Sequence, residues 1–344
     1  LQAADGELPA QNEGVDAESL PDIEVIYGGG VTGIFGTDQQ LEGVRWKTLA
    51  SGEEQALNAD ALILPMGRFP QFIFTSQNEA DEAAVDKLHQ ELKIHRTICR
   101  LFALRGIENR DEAVAFFRPK INHLHDPFLM KDMDRAVDRI DAAMDANENI
   151  LIYGDYDVDG TTAVALTYKY FSRVYDRIDY YQPDRYKEGY GVSTAGIDFA
   201  AENEIGLIIA LDCAIKAVDK VKYAKEKGIY FIICDHHLPS DELPPAAAVL
   251  DPIRSDCEYP YTELCGCGIG FKLVQAYATR HELPEEDVYG LMDLLAVSIA
   301  ADIVPITGEN RVMTYFGLQL INKRPSVGLA AMLKTAKFER TLTV

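Results

Sequence analysis

Three aspartates at alternating positions, Asp155, Asp157 and Asp159, follow a short apolar run at 150–153 and precede a glycine and two threonines. Carboxylates this close together repel one another, and ionising all of them costs free energy unless a cation lies among them. Hard oxygen ligands of this kind suit Mg²⁺ or Mn²⁺. The stretch therefore predicts a metal site at a strand end, where the glycine and threonines can begin a helix.

Two other interpretations of this aspartate run are open. A calcium loop also begins with D-x-D-x-D-G, but it needs a preceding helix and a glutamate at its twelfth position. Counting from Asp155, that position is Leu166, which has no ligand atom, and the residues before Asp155 are typical of a strand. A solvated acidic turn is the second alternative.

Ligand-type side chains also follow two later apolar runs. One run ends in Asp212 and the next in the triplet Asp235-His236-His237. A lone aspartate here could cap a helix, and a lone histidine is usually structural. The carboxyl ends of parallel strands meet at one edge of a sheet, so three such ends would bring these side chains together. We therefore expect a shared metal centre.

The elements that must position these residues alternate between strand and helix. Predicted strands lie at 150–153, 178–181, 207–211, 230–234 and 247–250, and predicted helices at 162–174, 194–202, 218–227, 270–280 and 285–300. Such alternation indicates parallel strands joined by crossover helices. The predicted fold class is α/β, a parallel sheet with crossover helices, preceded by a helical lead-in and a small β-rich N-terminal segment.

The residues before the sheet are predicted to be a polar linker at 77–93 and then the helical lead-in. The first helix would carry an apolar stripe of Ile94, Ile98, Leu101, Phe102 and Leu104. A second helix is predicted from Asn109 through Phe117, ahead of Pro119, and a third at 133–146.

The N-terminal residues divide into a polar tail and an apolar segment. Residues 1–20 are acidic and contain no aromatic side chain, which predicts disorder. Beyond them, short apolar runs separated by glycines predict strands at 23–27, 44–49 and 61–64.

A glycine-rich segment at 28–33 matches the dinucleotide fingerprint G-x-G-x-x-G, which requires a following helix. The next residues, 34–38, contain breakers and favour a hairpin or a glycine-rich turn instead. The wider stretch 22–76 resembles a fragment of a pyridine-nucleotide-dependent flavoprotein oxidoreductase, without the nucleotide-binding parts of a working reductase.

The charge of the chain argues against a generic nucleic-acid binder. Its 344 residues include 33 basic and 55 acidic side chains, a net charge of −22. A generic polynucleotide binder should present a basic surface. A polynucleotide substrate remains compatible with this charge, because metal ions and a local basic groove can still hold phosphate.

The remaining composition predicts a soluble, cytoplasmic protein. No apolar run approaches the length of a membrane span, and Leu1–Ala10 lacks the pattern of a targeting peptide. The six cysteines show no regular framework and are predicted to be buried free thiols in a reducing compartment. Cys265 and Cys267 could form half of a soft-metal site, but no second pair completes it.

The triplet Asp235-His236-His237, together with Asp157-Val158-Asp159, resembles the DHH phosphoesterase superfamily and, within it, the single-strand-specific exonucleases. Supporting segments in family order are Tyr153–Thr162, Pro183–Gly191, Leu211–Cys213, Cys234–His237, Ala301–Pro305 and Glu309–Arg311. The resemblance spans roughly residues 90–335. One departure is Ala214, where the family usually has glycine beside a ligand.

The resemblance implies two divalent ions, Mn²⁺ or Mg²⁺. By position, one ion would be held by Asp159, Asp212, His236 and Asp302, and the other by Asp155, Asp157 and a bridging Asp212. His237 is implied to lie beside the scissile phosphate, and Asp235 to fix the adjoining imidazole. Arg185 is the candidate phosphate contact; its alternative is a surface salt bridge.

The implied activity is metal-dependent phosphodiester hydrolysis, a 5′ to 3′ exonuclease that releases mononucleotides from single-stranded DNA in DNA repair and recombination. A pair of cations can activate water, so no cysteine or serine nucleophile is required. The implied partners are single-stranded DNA, single-strand-binding protein and a helicase, with no membrane. The alternatives are a small-substrate phosphodiesterase acting on oligoribonucleotides, cyclic dinucleotides or pyrophosphate, and a non-catalytic scaffold of the same fold.

The predicted domains are an acidic tail at 1–20, the oxidoreductase-like segment at 21–78, a linker and helical lead-in at 79–146, the DHH domain at 147–335 and the start of a second lobe at 336–344. Related exonucleases continue into a second lobe that completes the substrate groove. We therefore expect a chain ending at Val344 to bind metal but to cleave DNA feebly.

Overall fold

The computed structural model describes residues 29–36, 41–48, 54–58, 82–338 and 340–343. The chain divides into two compact units, Leu1–Arg110 and Asp111–Val344. Each unit is described separately.

The first unit contains a three-stranded antiparallel sheet of β1 (Gly29–Gly36), β2 (Leu41–Thr48) and β3 (Glu54–Asn58), in that order. The glycine-rich segment thus continues as a strand paired with its neighbour, which confirms the predicted hairpin in place of a dinucleotide-binding helix. The predicted strand at 44–49 overlaps β2. The predicted tail at 1–20 and the strands at 23–27 and 61–64 lie outside the described residues.

Two helices follow in this unit, α1 (Glu82–Leu92) and α2 (Arg96–Ala103). The prediction of a polar linker at 77–93 is wrong for α1, which buries Val85 and Leu88 at helical spacing. Glu82 joins the two helices by accepting from Arg96 at 3.0 Å and from Arg100.

The predicted apolar stripe of α2 is only partly correct. Phe102 is buried as expected, but Ile98 is 43 % exposed and Cys99 is buried in its place. The buried face of the helix is therefore rotated by one residue from the predicted face. Cys99 can take the buried position because a free cysteine behaves as a small apolar side chain.

The second unit opens with α3 (Arg110–Phe117) and α4 (Met133–Asp145), close to the predicted bounds. Helix α4 buries its residues at spacings of three and four, the pattern of a helix with one face on a core: Met133, Ala136, Val137, Ile140 and Ala143.

The core of this unit is a five-stranded sheet of β4 (Asn149–Gly154), β5 (Ile178–Tyr181), β6 (Ile205–Leu211), β7 (Tyr230–Cys234) and β8 (Ala248–Leu250). All neighbouring strands are parallel, in the order β5-β4-β6-β7-β8. Alternate residues enter two cores: Ile150 and Ile152 pack on one face, Leu151 and Tyr153 on the other. This arrangement confirms the predicted α/β class with a parallel sheet.

The remaining helices are α5 (Val158–Phe171), α6 (Thr194–Glu202), α7 (Val218–Glu226), α8 (Gly266–Arg280), α9 (Glu285–Tyr289), α10 (Met292–Ala301), α11 (Gly308–Lys323) and α12 (Val327–Thr335). Helix α5 begins four residues before its predicted start because the Asp157 carboxylate caps it, accepting from Gly160 N at 2.8 Å. The helix predicted at 285–300 is broken between α9 and α10.

The cysteines agree with the prediction of free thiols, and Cys257 alone among them is half-buried. Cys265 caps α8, where its Sγ accepts from Gly268 N at 3.4 Å and lies 3.6 Å from Ser298 Oγ. Among the described residues, neither Cys265 nor Cys267 belongs to a group that could hold a metal. In the same part of the chain, every helix is too short or too polar to cross a membrane.

A fully buried ion pair ties α8 to α11. Lys272 Nζ lies 2.6 Å from Glu309 Oε1 and donates to the His125 carbonyl at 2.9 Å. Glu309 also accepts from Tyr259 Oη at 2.7 Å and from His125 N at 2.9 Å. Burial lowers the pKa of Lys272, and Glu309 opposes that shift. Both charges are thus desolvated and depend on each other.

We expect Lys272→Met to lower the free energy of unfolding by about 3–5 kcal/mol, because it leaves the buried Glu309 carboxylate without its cation. Urea-induced unfolding followed by circular dichroism measures the loss. The double variant Lys272→Met/Glu309→Gln is the control and should recover part of it. A single variant as stable as the parent would contradict this account of the pair.

Candidate metal centre

Four aspartates form a row at the carboxyl edge of the parallel sheet. The last residues of β4, β6, β7 and β8 are in register, pairing Gly154 with Leu211, Leu211 with Cys234, and Cys234 with Leu250. The residue after each strand end is an aspartate: Asp155, Asp212, Asp235 and Asp251. All four are buried, which concentrates negative charge where water is largely excluded.

Asp212 lies in the middle of this row and lacks aligned hydrogen bonds. It is 1 % exposed, and within the described structure neither of its carboxylate oxygens accepts an aligned hydrogen bond, although His236 Nε2 lies 3.2 Å from Oδ1. Burial, followed by the charges of Asp159 and Asp157, raises the pKa of Asp212 to about 8 although His236 opposes the shift. A buried carboxylate with two unsatisfied oxygens is a position that a cation can stabilise.

Three carboxylates lie around the Nε2 atom of the His236 ring. Its Nε2 lies 3.2 Å from Asp212 Oδ1, 3.7 Å from Asp159 Oδ2 and 3.7 Å from Asp302 Oδ2. Burial opposes the charged imidazole, but these carboxylates together raise the pKa of His236 to about 9. The structure therefore brings together the four residues that the sequence analysis assigned to one ion.

Asp159 is held from outside the sheet by the start of α8. Its carboxylate accepts from Gly266 N at 2.6 Å and Cys267 N at 2.8 Å, and from the Ser298 hydroxyl. The positive end of the helix dipole favours a carboxylate at this place. Gly266 is required because a Cβ there would lie 2.5 Å from Asp212 Cβ. Sequence reasoning missed these contacts because they join residues more than a hundred positions apart.

Asp302 completes the group from the C-terminal end of α10. Its side chain is 24 % exposed, and its Oδ2 is buried without a hydrogen-bond partner in the described residues. Burial, then the charge of Asp159, raises the pKa of Asp302. Like Asp212, it offers an unsatisfied oxygen towards His236.

Asp155 and Asp157 have a different environment. Asp155 accepts from Tyr156 N at 2.6 Å and from Gly191 N at 3.0 Å, and Asp157 caps α5. Among the described residues, the compact groups of candidate ligands are Asp159 with His236 and Asp302, and Asp212 with both histidines. Asp155 and Asp157, two of the three residues predicted for the second ion, are therefore already bonded to backbone amides.

Asp235 orients the second histidine of the triplet. Its Oδ1 lies 2.8 Å from His237 Nδ1 and accepts from His236 N at 2.8 Å, and its Oδ2 accepts from Ile215 N at 2.9 Å. Burial opposes ionisation of Asp235, but these donors lower its pKa. The bond to Asp235 in turn raises the pKa of His237, whose side chain is 42 % exposed. Asp235 thus holds the ring of His237, with Nε2 on the opposite side.

Aromatic and basic side chains form the rim beside this histidine. Tyr190, 56 % exposed, meets His237 edge-on with ring centroids 6.4 Å apart, and meets Tyr156 at 5.9 Å. The Arg185 guanidinium lies 5.4 Å from the Tyr156 ring. The predicted Arg185 therefore lies against Tyr156, whose ring meets Tyr190, whereas Tyr190 was not recognised as a site residue.

Asp251 was also missed by the sequence analysis. It is fully buried, its Oδ1 accepts from Ile253 N at 2.8 Å, and its Oδ2 has no partner in the described residues. Burial raises the pKa of Asp251 to about 6. The rule applied to the other strands, an aspartate after an apolar run, would have found it after 247–250.

Comparison with known proteins agrees with this geometry. Residues 149–299 match the N-terminal domain of the DHH family. The segment that carries the strand-end aspartates is therefore similar to a DHH-family domain. The single-stranded-DNA-specific exonuclease RecJ of Bacillus subtilis is 39 % identical over 254 residues, 74 % of this chain and 32 % of the relative. The Escherichia coli RecJ is 31 % identical over 250 residues, 69 % of this chain and 42 % of the relative.

Two solved structures share the fold of the DHH domain. An exonuclease RecJ bound to manganese superimposes with a TM-score of 0.57 and 28 % identity, covering 64 % of this chain and 55 % of that one. RecJ from Thermus thermophilus in complex with Mn²⁺ gives a TM-score of 0.61 at 23 % identity, covering 74 % and 36 %. The chain spans about a third to just under half the length of the curated relatives it matches.

The backbone of Ala214, the position noted in the sequence analysis, is strained. Ala214 has φ +86°, two residues after Asp212 at φ +57°. Side chains with a Cβ are strained in this region, whereas glycine is not. A glycine at this position would adopt the same turn without strain.

We expect Ala214→Gly to raise the free energy of unfolding by about 1 kcal/mol, because it relieves that strain. Thermal unfolding of the metal-free protein measures the gain. Ala142→Gly, on an exposed position of α4, is the matched control and should lower stability by about 0.5–1 kcal/mol. A loss at position 214 equal to that at 142 would show that the turn is not strained.

Proposed function

We propose that the DHH domain of this chain is the catalytic domain of a metal-dependent 5′ to 3′ exonuclease that releases mononucleotides from single-stranded DNA. The observation that carries the proposal is the buried Asp212 carboxylate, neither oxygen of which accepts an aligned hydrogen bond in the described residues. It lies beside His236, which Asp159 and Asp302 also approach. The names of the RecJ relatives support the substrate class.

The donor set fits hard divalent cations, Mn²⁺ or Mg²⁺. We assign Asp159, Asp212, His236 and Asp302 to one ion, and Asp155, Asp157 and a bridging Asp212 to a second. Carboxylate oxygens with one imidazole nitrogen suit such ions, and the backbone and hydroxyl donors to Asp159 would fix its orientation. When bound, the ions supply activation of water and stabilisation of charge on the phosphate.

The protein's own groups would orient the phosphodiester. His237 Nδ1 is fixed by Asp235, so its Nε2 is the nitrogen that can donate to a phosphate oxygen. Arg185 would contact a phosphate at the rim, where its guanidinium lies against Tyr156. Roles in DNA repair and recombination, a cytoplasmic location, and partnership with single-strand-binding protein or a helicase remain predictions from the resemblance.

We expect millimolar Mn²⁺ to raise the unfolding temperature of this chain, since an ion at a hundredfold excess over its Kd contributes about 2.7 kcal/mol. Asp212→Asn should lose most of this gain, because it removes the shared ligand. Without metal, the same variant should be at least as stable as the parent, since it removes a buried carboxyl group that Asp159 and Asp157 repel when it is ionised.

Differential scanning calorimetry with and without Mn²⁺ measures both effects. Asp251→Asn is the control, because Asp251 is equally buried in the same row but outside the close cluster. An equal Mn²⁺ response in both variants would contradict the assignment of Asp212.

We expect Mn²⁺-dependent release of mononucleotides from 5′-phosphorylated single-stranded DNA, reduced at least about 100-fold in Asp212→Ala. Chromatography of the products measures it. A dinucleotide assayed in parallel distinguishes a small-substrate phosphodiesterase, which would prefer the dinucleotide. Mn²⁺ binding without hydrolysis of either substrate would contradict the proposed activity.

A further inference from the structure

The Asn310 side chain is buried in the first turn of α11. It is fully inaccessible to solvent. Its Nδ2 donates to the Glu263 carbonyl at 2.6 Å and to the Pro305 carbonyl at 3.0 Å. Its Oδ1 is buried without a partner in the described structure. One amide group therefore joins two loops that are more than forty residues apart in the chain.

Each of these two loops leads to a carboxylate of the cluster. Glu263 is three residues before Gly266, whose amide binds Asp159 at 2.6 Å. Pro305 is three residues after Asp302, which faces His236 from the other side. The Asn310 amide is therefore a short link between the backbone that holds Asp159 and the backbone that carries Asp302.

The segment after Asp302 depends on such external contacts. Ile303 has φ +60° and is 87 % exposed, so its side chain adds little packing to hold a strained residue in place. Pro305 is instead held through its carbonyl, by Asn310 and by the Tyr261 hydroxyl at 3.2 Å. The first turn of α11, which carries Asn310, is held in place because the neighbouring Glu309 forms the buried ion pair with Lys272.

We propose that Asn310 is a positioning residue that sets the distance between Asp159 and Asp302, and so the affinity for the ion held by Asp159, Asp212, His236 and Asp302. The inference rests on the metal centre proposed above. Ligands placed 1 Å too loosely hold a metal poorly, and partners that orient ligands contribute about 10–100-fold to metal affinity.

The test measures Mn²⁺ binding to the whole chain by calorimetry, with the free ion counted by electron paramagnetic resonance. Asn310→Ala should lower the affinity for one of the two ions about 10-fold or more and leave the affinity for the other within about twofold of the parent value. Thr314→Val is the matched control. Thr314 is buried one turn further along α11, its hydroxyl has no partner in the described residues, and its removal should change neither ion.

Unchanged binding in Asn310→Ala, or equal weakening of both ions, would overturn the proposed role. Absence of Mn²⁺ binding in the parent chain would instead overturn the metal centre itself. If Asn310→Ala does not fold, Tyr261→Phe takes its place. It removes the hydroxyl that lies 3.2 Å from the Pro305 carbonyl and 3.0 Å from the Thr307 carbonyl, and it should weaken binding of the same ion about threefold. Unchanged binding would contradict the inference.

Discussion

The structure depends on the repulsion among carboxylates that a parallel sheet collects at one buried edge. Strands in register end together, so the aspartates that follow them cannot be moved apart without changing the sheet. Buried carboxylates disfavour ionisation, which is why the pKa of Asp212 and that of Asp302 are raised. Protonation relieves this repulsion by neutralising a carboxylate. A bound cation relieves it while the carboxylates stay ionised and coordinate the ion. The fold therefore favours the binding of cations at the site of the proposed chemistry.

The acidic residues divide into two groups by their partners. Asp155, Asp159 and Asp235 accept from backbone amides, and each bond fixes a loop or a helix start. Asp212 and Asp302 have buried oxygens without partners among the described residues. Satisfied carboxylates stabilise the frame, whereas unsatisfied ones cost stability unless something binds them. This division favours a binding site over a scaffold that has lost catalysis, since a scaffold gains nothing from keeping unsatisfied buried carboxylates.

The sequence predicted the sheet well because its signals are local. Apolar runs of strand length identified β4, β6 and β7, and their terminal aspartates supplied most of the candidate ligands. Contacts between distant segments could not be read in the same way. The start of α8 depends on Cys265 as a cap and on Asp159 from across the sheet, so its first turn was missed. Asp251 was missed for a different reason: the strand before it was predicted, but the strand-end rule was not applied to the aspartate that follows it.

A chain with a net charge of −22 must still approach a polyanion if the proposed substrate is right. The geometry reconciles the two requirements by separating them in space. The deepest part of the site is acidic and suited to cations, whereas the rim beside His237 carries the exposed ring of Tyr190 and, against Tyr156, the Arg185 guanidinium. Aromatic faces and a guanidinium bind single strands by stacking and charge without needing a basic surface overall. Bound cations would reverse the sign of the centre, so the negative charge of the protein would repel a strand least where it is cut.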